Sequence, residues 1–384
     1  MRHRLTANDL ELLIKSVFPL STDDKKLAIL VDLPDDADQD TTDWSKRRAM
    51  AQSWHRNLTA YIEKLGLESV DLVYYRNVHN NNADLPETAY VSKRQTSIAT
   101  AETLDSVSPL IKFEEIFSRY QLFIALTEFS ATAPLKLNAQ KYGFRAATMP
   151  GFSPEMIPAL KLDYAKINER VMRIKELLDP AIGITISFSI KDGEDLHCYF
   201  DLRFRKAHAS GGRFPDKGTA GNLPSGESYI VPYEGNLEDR SLSTGKLPVQ
   251  FDDEIVIYEI KNNVAHNVIG AGRYAQAEKS KLSQEPAYGN IAEIGFGVLS
   301  DFGVKPSGSI LLDEKLGLHI AFGRSDHFGG AVGIKDFRNP ANVVHIDRIY
   351  IPETQPKVTV RSAILAYEDG HNLEIMKNGI YTIF

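Results

Sequence analysis

The chain has very little cysteine, and this scarcity excludes several kinds of protein. Cys198 is the only cysteine among 384 residues, so the chain forms no intrachain disulfide and no multi-cysteine zinc site. A reducing compartment, the cytoplasm, is therefore expected. The sequence also lacks any run approaching the roughly 20 apolar residues that a membrane-spanning helix needs, and it lacks a block of basic residues. We accordingly expect no membrane and no nucleic acid among its partners.

The remaining composition is that of an ordinary, mildly acidic globular protein. Lys and Arg number 44 against 51 Asp and Glu, which gives a net charge of −7 when His is neutral. Apolar residues make up 43% and charged residues 25% of the chain, which are common values for soluble proteins. The length exceeds the roughly 250–300 residues of a single hydrophobic core, so two domains are expected.

Apolar runs that alternate with helical patterns dominate the first half of the chain. The strand-like runs are 27–33, 70–77, 120–130 and 144–151, and a long amphipathic pattern over 159–178 predicts a helix that ends at Pro180. Strands separated by helices favour parallel pairing with crossover connections. Residues 1–182 are therefore predicted to form an α/β domain with a largely parallel sheet, and this domain would shape the substrate cleft.

The pattern changes after residue 182 to short strand-like segments separated by glycine-rich turns. Such a pattern is typical of antiparallel pairing. Residues 183–384 are therefore predicted to form a β-rich α+β domain. We expect this second domain to carry the catalytic metal site.

Five potential metal ligands lie in the second domain, each in its own local context: Glu227, Glu293, His319, His345 and Asp347. His345 and Asp347 are two residues apart in an apolar segment, and alternate residues of a strand point to the same face. One short segment can thus direct an imidazole and a carboxylate at one point. Glu293 is the only charge in NIAEIGFGVLS, and a buried carboxylate requires a metal or a basic partner.

Each of these residues also has an ordinary structural interpretation. Glu227, which follows Gly226 at the start of a predicted strand, could be an exposed edge glutamate. Glu293 could form a salt bridge with an arginine, and His319 could be a hydrogen-bonded core residue. Asp347 could simply orient a structural His345. One common site accounts for all five together, and it would be a mixed nitrogen and oxygen site for divalent metals.

Four segments resemble the signature of the thermophilic-type metalloaminopeptidases, the family of aminopeptidase T and aminopeptidase S with its leucyl-aminopeptidase-like branch. These segments are NLPSGE, NIAEIGFG, DEKLGLHIAFGRSDHFGG and NVVHID, and the resemblance covers about residues 144–384. It implies an aminopeptidase that acts on a peptide or small-molecule substrate, and a homodimer. It also implies that two divalent metal ions (Zn, Co or Mn) bind to Glu227, Glu293, His319, His345 and Asp347, with Glu293 bridging or lying beside both ions.

One position departs from the family's pattern. The peptidases carry a tyrosine beyond the first ligand histidine, whereas the segment GRSDHFGG offers Asp326 and His327. A histidine can donate a hydrogen bond to an oxyanion or transfer a proton near neutral pH. His327 is therefore our candidate catalytic residue beside Glu293. Asp326 and His327 could instead contact substrate, support the ligands or form a solvated turn.

Three functions are compatible with this sequence. The leading hypothesis is a hydrolase of amide bonds, aminopeptidase-like, that uses a metal-activated water, because this function uses all five ligands. The alternative is a mononuclear non-haem Fe(II) ring-cleaving dioxygenase that resembles the dihydroxypyridine dioxygenases. That alternative rests on His319, His345 and Asp347, which form a two-histidine, one-carboxylate set. The third is a metal-stabilised binding protein without turnover, which the missing tyrosine suggests.

Overall fold

The computed structural model describes residues 4–92, 98–191, 193–237 and 239–384. Within these ranges the α-helices are α1 (Ala7–Val17), α2 (Thr42–Thr59), α3 (Ile62–Leu65), α4 (Ala101–Asp105), α5 (Phe113–Arg119), α6 (Thr132–Tyr142), α7 (Ile157–Leu160), α8 (Tyr164–Leu178), α9 (Arg273–Gln284) and α10 (Ile310–Asp313). The 3₁₀ turns are Pro154–Met156, Pro286–Gly289, Leu299–Phe302, Glu314–Leu316, Asp326–Phe328, Ile334–Asp336 and Pro340–Asn342.

The strands within the described ranges are β1 (Lys26–Leu33), β2 (Ser69–Arg76), β3 (Thr88–Ser92), β4 (Ile111–Lys112), β5 (Leu122–Thr127), β6 (Arg145–Pro150), β7 (Gly183–Ile190), β8 (Asp195–Asp201), β9 (His208–Ser210), β10 (Ala220–Asn222), β11 (Glu227–Ile230), β12 (Thr244–Phe251), β13 (Glu254–Lys261), β14 (Val264–Ile269), β15 (Ile291–Gly297), β16 (Leu318–Gly323), β17 (His345–Ile349), β18 (Val358–Ala366), β19 (Asn372–Lys377) and β20 (Ile380–Tyr381).

Two compact units make up the chain. The first unit contains Met1–Asn168 and Ser210–Ser225, and the second contains Glu169–Ala209 and Gly226–Phe384. Within the described residues, the helices are all too short or too polar to cross a membrane.

The first unit is built on a seven-stranded sheet in the order β10-β6-β5-β1-β2-β3-β4. The pairs β10–β6, β6–β5, β5–β1 and β1–β2 are parallel, whereas β3 pairs antiparallel with β2 and β4. In the central strand β1 every residue except Lys26 is buried, as expected of a parallel strand covered on both faces. The predicted α/β character with a largely parallel sheet is thus confirmed.

The second unit contains two sheets and is β-rich, as predicted. The larger sheet has eight strands in the order β14-β13-β12-β8-β7-β18-β19-β20. The smaller sheet has the order β17-β16-β15-β11-β9, and its pairs β11–β15, β15–β16 and β16–β17 are antiparallel. All residues of β15 and β16 are buried, so this smaller sheet gives the predicted ligands a rigid support.

Candidate metal centre

All five predicted ligands lie on four neighbouring strands of the five-stranded sheet. Glu227 begins β11, Glu293 lies in β15, His319 lies in β16, and β17 carries His345 and Asp347. Their side-chain distances, given below, place them on one face. The structure therefore brings the five residues together, although they span more than 100 positions of the sequence.

Small residues stand opposite the ligands in the adjacent strands and make room for them. Gly295 pairs with His319, Ala321 lies between Glu293 and Asp347, and Gly323 pairs with His345. A Cβ atom on Gly295 would lie 1.9 Å from the His319 Nε2 atom. Glycine is therefore required at position 295, because a side chain there would occupy the place of the imidazole.

Carboxylates and imidazoles alternate across the centre. The His319 Nε2 atom lies 3.4 Å from Glu227 Oε2 and 3.2 Å from Glu293 Oε1. The His345 Nε2 atom lies 3.5 Å from Glu293 Oε2 and 3.7 Å from Asp347 Oδ1. The two oxygens of Glu293 thus face different imidazoles, so this carboxylate lies between the two halves of the centre.

The centre is shielded from water. The exposed fractions of Glu227, Glu293 and His319 are 6%, 4% and 0%, and those of the His345 and Asp347 side chains are 20% and 6%. Burial alone would lower the pKa of His319, but the hydrogen bond with Glu293 and the charge of Glu227 outweigh it and raise the pKa to about 9. The pKa of His345 is likewise raised by Asp347 and Glu293 despite its burial. Protons on the imidazoles thus balance the buried carboxylates in the metal-free protein.

The donor set fits divalent cations. Glu227, Glu293 and His319 offer ligand atoms that lie within 4.8 Å of one another. Among the described residues, the buried Oε2 atom of Glu227 has no hydrogen-bond partner. It lies 3.4 Å from His319 Nε2, and burying a carboxylate oxygen without a hydrogen bond is costly. A bound cation would satisfy this oxygen and would replace the protons on the imidazoles.

Backbone carbonyls fix the orientation of both imidazoles. His319 Nδ1 donates a hydrogen bond to the Gly317 carbonyl at 3.3 Å, and His345 Nδ1 donates one to the Arg324 carbonyl at 2.8 Å. Each Nε2 atom is consequently directed at the carboxylates. Such outer contacts are the usual means of fixing the tautomer of a metal-binding histidine.

A buried lysine neutralises one end of the centre. Lys315 is 1% exposed, its Nζ atom lies 2.5 Å from Glu227 Oε1, and it also forms an ion pair with Glu314. Burial raises the pKa of Glu314 to about 8 against the opposing effect of Lys315. Lys315 therefore holds one oxygen of Glu227 and leaves the other directed at His319.

His327 lies beside the predicted ligand His345 in a wall of aromatic rings. The ring centroids of His327 and Phe328 each lie 5.3 Å from that of His345. Tyr229 packs against Phe328 and stacks on His208, with centroid distances of 5.0 Å in both cases. Burial and the neighbouring His345 charge lower the pKa of His327 to about 4. His327 is consequently neutral near pH 7. The Asp326 carboxylate forms an ion pair with Arg324, with 2.5 Å between Oδ1 and Nε.

Sequence reasoning did not identify Lys315, Tyr229 or Glu234. Lys315 follows Asp313 and Glu314 between the apolar residues Leu312 and Leu316, and a lysine beside carboxylates in an apolar setting can signal a buried ion pair. Tyr229 is two residues beyond Glu227 on β11 and therefore shares its face. Glu234, whose carboxylate accepts hydrogen bonds from Asn290 and Ser325, gives no such local signal, because these partners are distant in sequence.

Comparison with known proteins gives a fold and leaves the chemistry open. No protein-family model matches the chain, and no curated protein matches it. The structure of 2,5-dihydroxypyridine dioxygenase from Pseudomonas putida is similar with a TM-score of 0.61 and 16% identity, covering 99% of this chain and 98% of that chain. Wild-type AmpT (aminopeptidase T) from Thermus thermophilus is similar with a TM-score of 0.52 and 14% identity, covering 98% of both chains. The chain thus shares, over nearly its whole length, a fold found in both a dioxygenase and an aminopeptidase.

Proposed function

We propose that this protein is a hydrolase of amide bonds, aminopeptidase-like, that depends on two divalent metal ions (Zn, Co or Mn). The observation that carries the proposal is the position of Glu293, whose two oxygens face different imidazoles at 3.2 and 3.5 Å. Glu227 with His319 would hold one ion, and His345 with Asp347 the other. A single ion would not need all three carboxylates.

Two ions, when bound, supply a water nucleophile at neutral pH and polarise the carbonyl group of the substrate. The residues of the chain prepare this chemistry by holding five ligands with little access to water. Burial, the largest cause, lowers the pKa of His327 below its ordinary value, and a cation held by His345 would act in the same direction as the proton it replaces, so His327 is neutral near pH 7. A neutral imidazole in this place can donate a hydrogen bond to a developing oxyanion, which is the role we assign to His327.

Metal content and turnover test this proposal. We expect close to two equivalents of zinc, manganese or cobalt per chain by plasma mass spectrometry, on protein purified without a chelator. The loaded protein should hydrolyse members of a panel of aminoacyl amides. Glu293→Gln should abolish turnover and lower the metal content, with the fold retained by circular dichroism. The control Glu278→Gln changes another buried glutamate of the second unit and should keep both turnover and metal content. Full activity of Glu293→Gln would refute the proposal.

A second candidate function is supported by the aromatic wall. His327 and Phe328 lie beside His345, and Tyr229 packs against Phe328. A surface of flat rings suits a planar aromatic substrate. His319, His345 and Asp347 would then hold one Fe(II), as in ring-cleaving dioxygenases. One equivalent of iron, together with oxygen consumption on a dihydroxylated heteroaromatic compound, would favour this function over hydrolysis. Activity that is indifferent to oxygen would exclude it.

A further inference from the structure

We propose that Glu234 is a positioning residue for the metal centre. It fixes the segment 324–331, whose backbone orients the ligand His345 and which carries His327. The inference rests on the proposed metal-binding function. The hydrogen-bond partners that the structure describes for Glu234 include none of the five predicted ligands, so its role would be indirect.

The Glu234 carboxylate holds both ends of this segment. Its Oε1 atom accepts hydrogen bonds from Ser325 Oγ at 2.5 Å and Asn290 Nδ2 at 2.9 Å. Its Oε2 atom accepts them from the Ala331 backbone N–H at 2.5 Å and from Arg205 Nη2 at 2.9 Å. The side chain is 4% exposed, and four donors offset the cost of burying its charge.

Two hydrogen-bond partners of Glu234 also hold the segment at other points, one at Gly329 in its middle and one at Gly323, which precedes it. Arg205 Nη1 donates to the Gly329 carbonyl at 3.1 Å. Asn290 Nδ2 donates to the Gly323 carbonyl at 2.9 Å, and the Asn290 carbonyl accepts from the Gly323 N–H at 2.8 Å. Gly323 has φ +103°, a left-handed conformation that favours glycine. The segment is therefore fixed at its entry, its middle and its end.

The link to the metal centre is the Arg324 carbonyl. It accepts the hydrogen bond of His345 Nδ1 at 2.8 Å, and it directly precedes Ser325, which Glu234 holds. Movement of Ser325 would displace this carbonyl and release the His345 ring. Loss of an outer partner of a metal-binding histidine typically weakens metal binding about tenfold to hundredfold.

Cobalt-loaded protein provides the test, with Glu234→Ala as the variant. Proton NMR of the Co²⁺ form should resolve the exchangeable Nδ1–H signals of His319 and His345 as two shifted resonances. In Glu234→Ala we expect the His345 signal to be lost by exchange with water, the His319 signal to persist, and the dissociation constant of Co²⁺ to rise at least tenfold. Glu234→Gln, which keeps the size and part of the hydrogen bonding, should restore the His345 signal in part.

The matched control is Glu254→Ala, since Glu254 is another glutamate of the second unit that accepts backbone hydrogen bonds, from the N–H groups of Tyr274 at 3.0 Å and Ala275 at 2.9 Å. It should leave both signals and the affinity unchanged. If Glu234→Ala does not fold, Ser325→Ala can replace it, because this variant removes one hydrogen bond to Glu234. We expect it to weaken the same His345 signal. An unchanged His345 signal in a variant that binds Co²⁺ as wild type does would overturn the inference alone. Wild-type protein that binds no Co²⁺ would overturn the proposed function and this inference together, whereas Co²⁺ binding without amide hydrolysis would overturn the hydrolase proposal only.

Discussion

Lys315 shows how a single side chain permits a cluster of buried carboxylates. Its ammonium group pairs with Glu227 and Glu314, and none of the three side chains is more than 15% exposed. Removing one partner of such a group leaves uncompensated charge in a medium that solvates charge poorly. At the scale of the residue, the positive charge of Lys315 is therefore what allows the Glu227 carboxylate to remain buried.

We expect Lys315→Met to lower the free energy of unfolding by about 3–5 kcal/mol, because the buried Glu227 carboxylate would be left without its cation. Urea unfolding of the chelated protein, followed by circular dichroism, measures this change. The control is Lys281→Met, since Lys281 pairs with the buried Glu278 at 2.7 Å but is 54% exposed, and it should cost less than about 1 kcal/mol. Equal losses in the two variants would contradict the role assigned to Lys315.

At the scale of the element, helix α2 shows how a crossover helix is attached to a parallel sheet. Thr41 caps its start by accepting a hydrogen bond from the Trp44 N–H at 3.2 Å, which satisfies a free donor of the first turn. Near its end His55 donates from Nε2 to the Val70 carbonyl at 3.0 Å, so α2 is bonded to strand β2. Burial lowers the pKa of His55 below its ordinary value, and the attachment uses the neutral ring.

This attachment should weaken in acid. The folded-state pKa of His55 lies below the unfolded value of about 6.5, so the unfolded chain takes up the proton first as the pH falls. The stability that His55 contributes is complete above about pH 6.5 and is lost as the pH falls toward its folded pKa. Between pH 7 and pH 5 the loss is at most about 2 kcal/mol.

His55→Gln should remove this pH dependence, because glutamine can donate to Val70 and does not titrate. Unfolding free energies at pH 7 and pH 5 measure the difference between the variant and wild type. His266→Gln is the control, since His266 is exposed, and it should follow the wild type. The prediction fails if His55→Gln and wild type lose equal stability over this range.

At the scale of the whole molecule, the proposed ions couple metal binding to folding. The five ligands come from four strands, β11, β15, β16 and β17, that the unfolded chain does not hold together. Ions that bind only the folded state stabilise it by mass action, by about 2.7 kcal/mol for one site at a hundredfold excess over the dissociation constant. Metal content should thus govern the thermal stability of the protein.

Removal of metal by a chelator should accordingly lower the melting temperature by several degrees, and addition of Zn²⁺ or Mn²⁺ should restore it. Differential scanning calorimetry of both forms measures this shift. Glu293→Gln should lose most of the response to metal, because its carboxylate lies between both imidazoles. Superimposable transitions with and without metal would be the contrary result.

The alternation of apolar runs and helices was enough to predict the first sheet, because β1 and β5 are buried on both faces. The first and last residues of the helices and strands are harder to predict. The helix predicted over 159–178 is interrupted, since Asp163 accepts the N–H groups of Ala165 and Lys166 and so begins α8 at Tyr164. The short strand β10, Ala-Gly-Asn, carries no pattern that would join it to the first unit.

The ligands themselves could be proposed from local contexts, and the structure brings them together. Their supports could not be found in this way. Lys315 meets Glu227 across 88 positions and Glu234 meets Ser325 across 91, and such contacts exist only after the strands have paired. Local sequence patterns therefore indicate which groups can bind a metal, and tertiary pairing decides which groups hold them in place.

The pairing of His319 with Gly295 means that the centre is complete only when β15 and β16 are in the correct register. Side chains alternate between the faces of a sheet, so a slip of β16 by one residue would turn the imidazole away and present Leu318 or Ile320 instead. A partly folded chain with all its strands formed, but with this one displaced, would lack the imidazole of His319 and could not take up its full complement of ions. Ion uptake during refolding would then mark the moment at which the strands reach their final alignment, later than the moment at which they form.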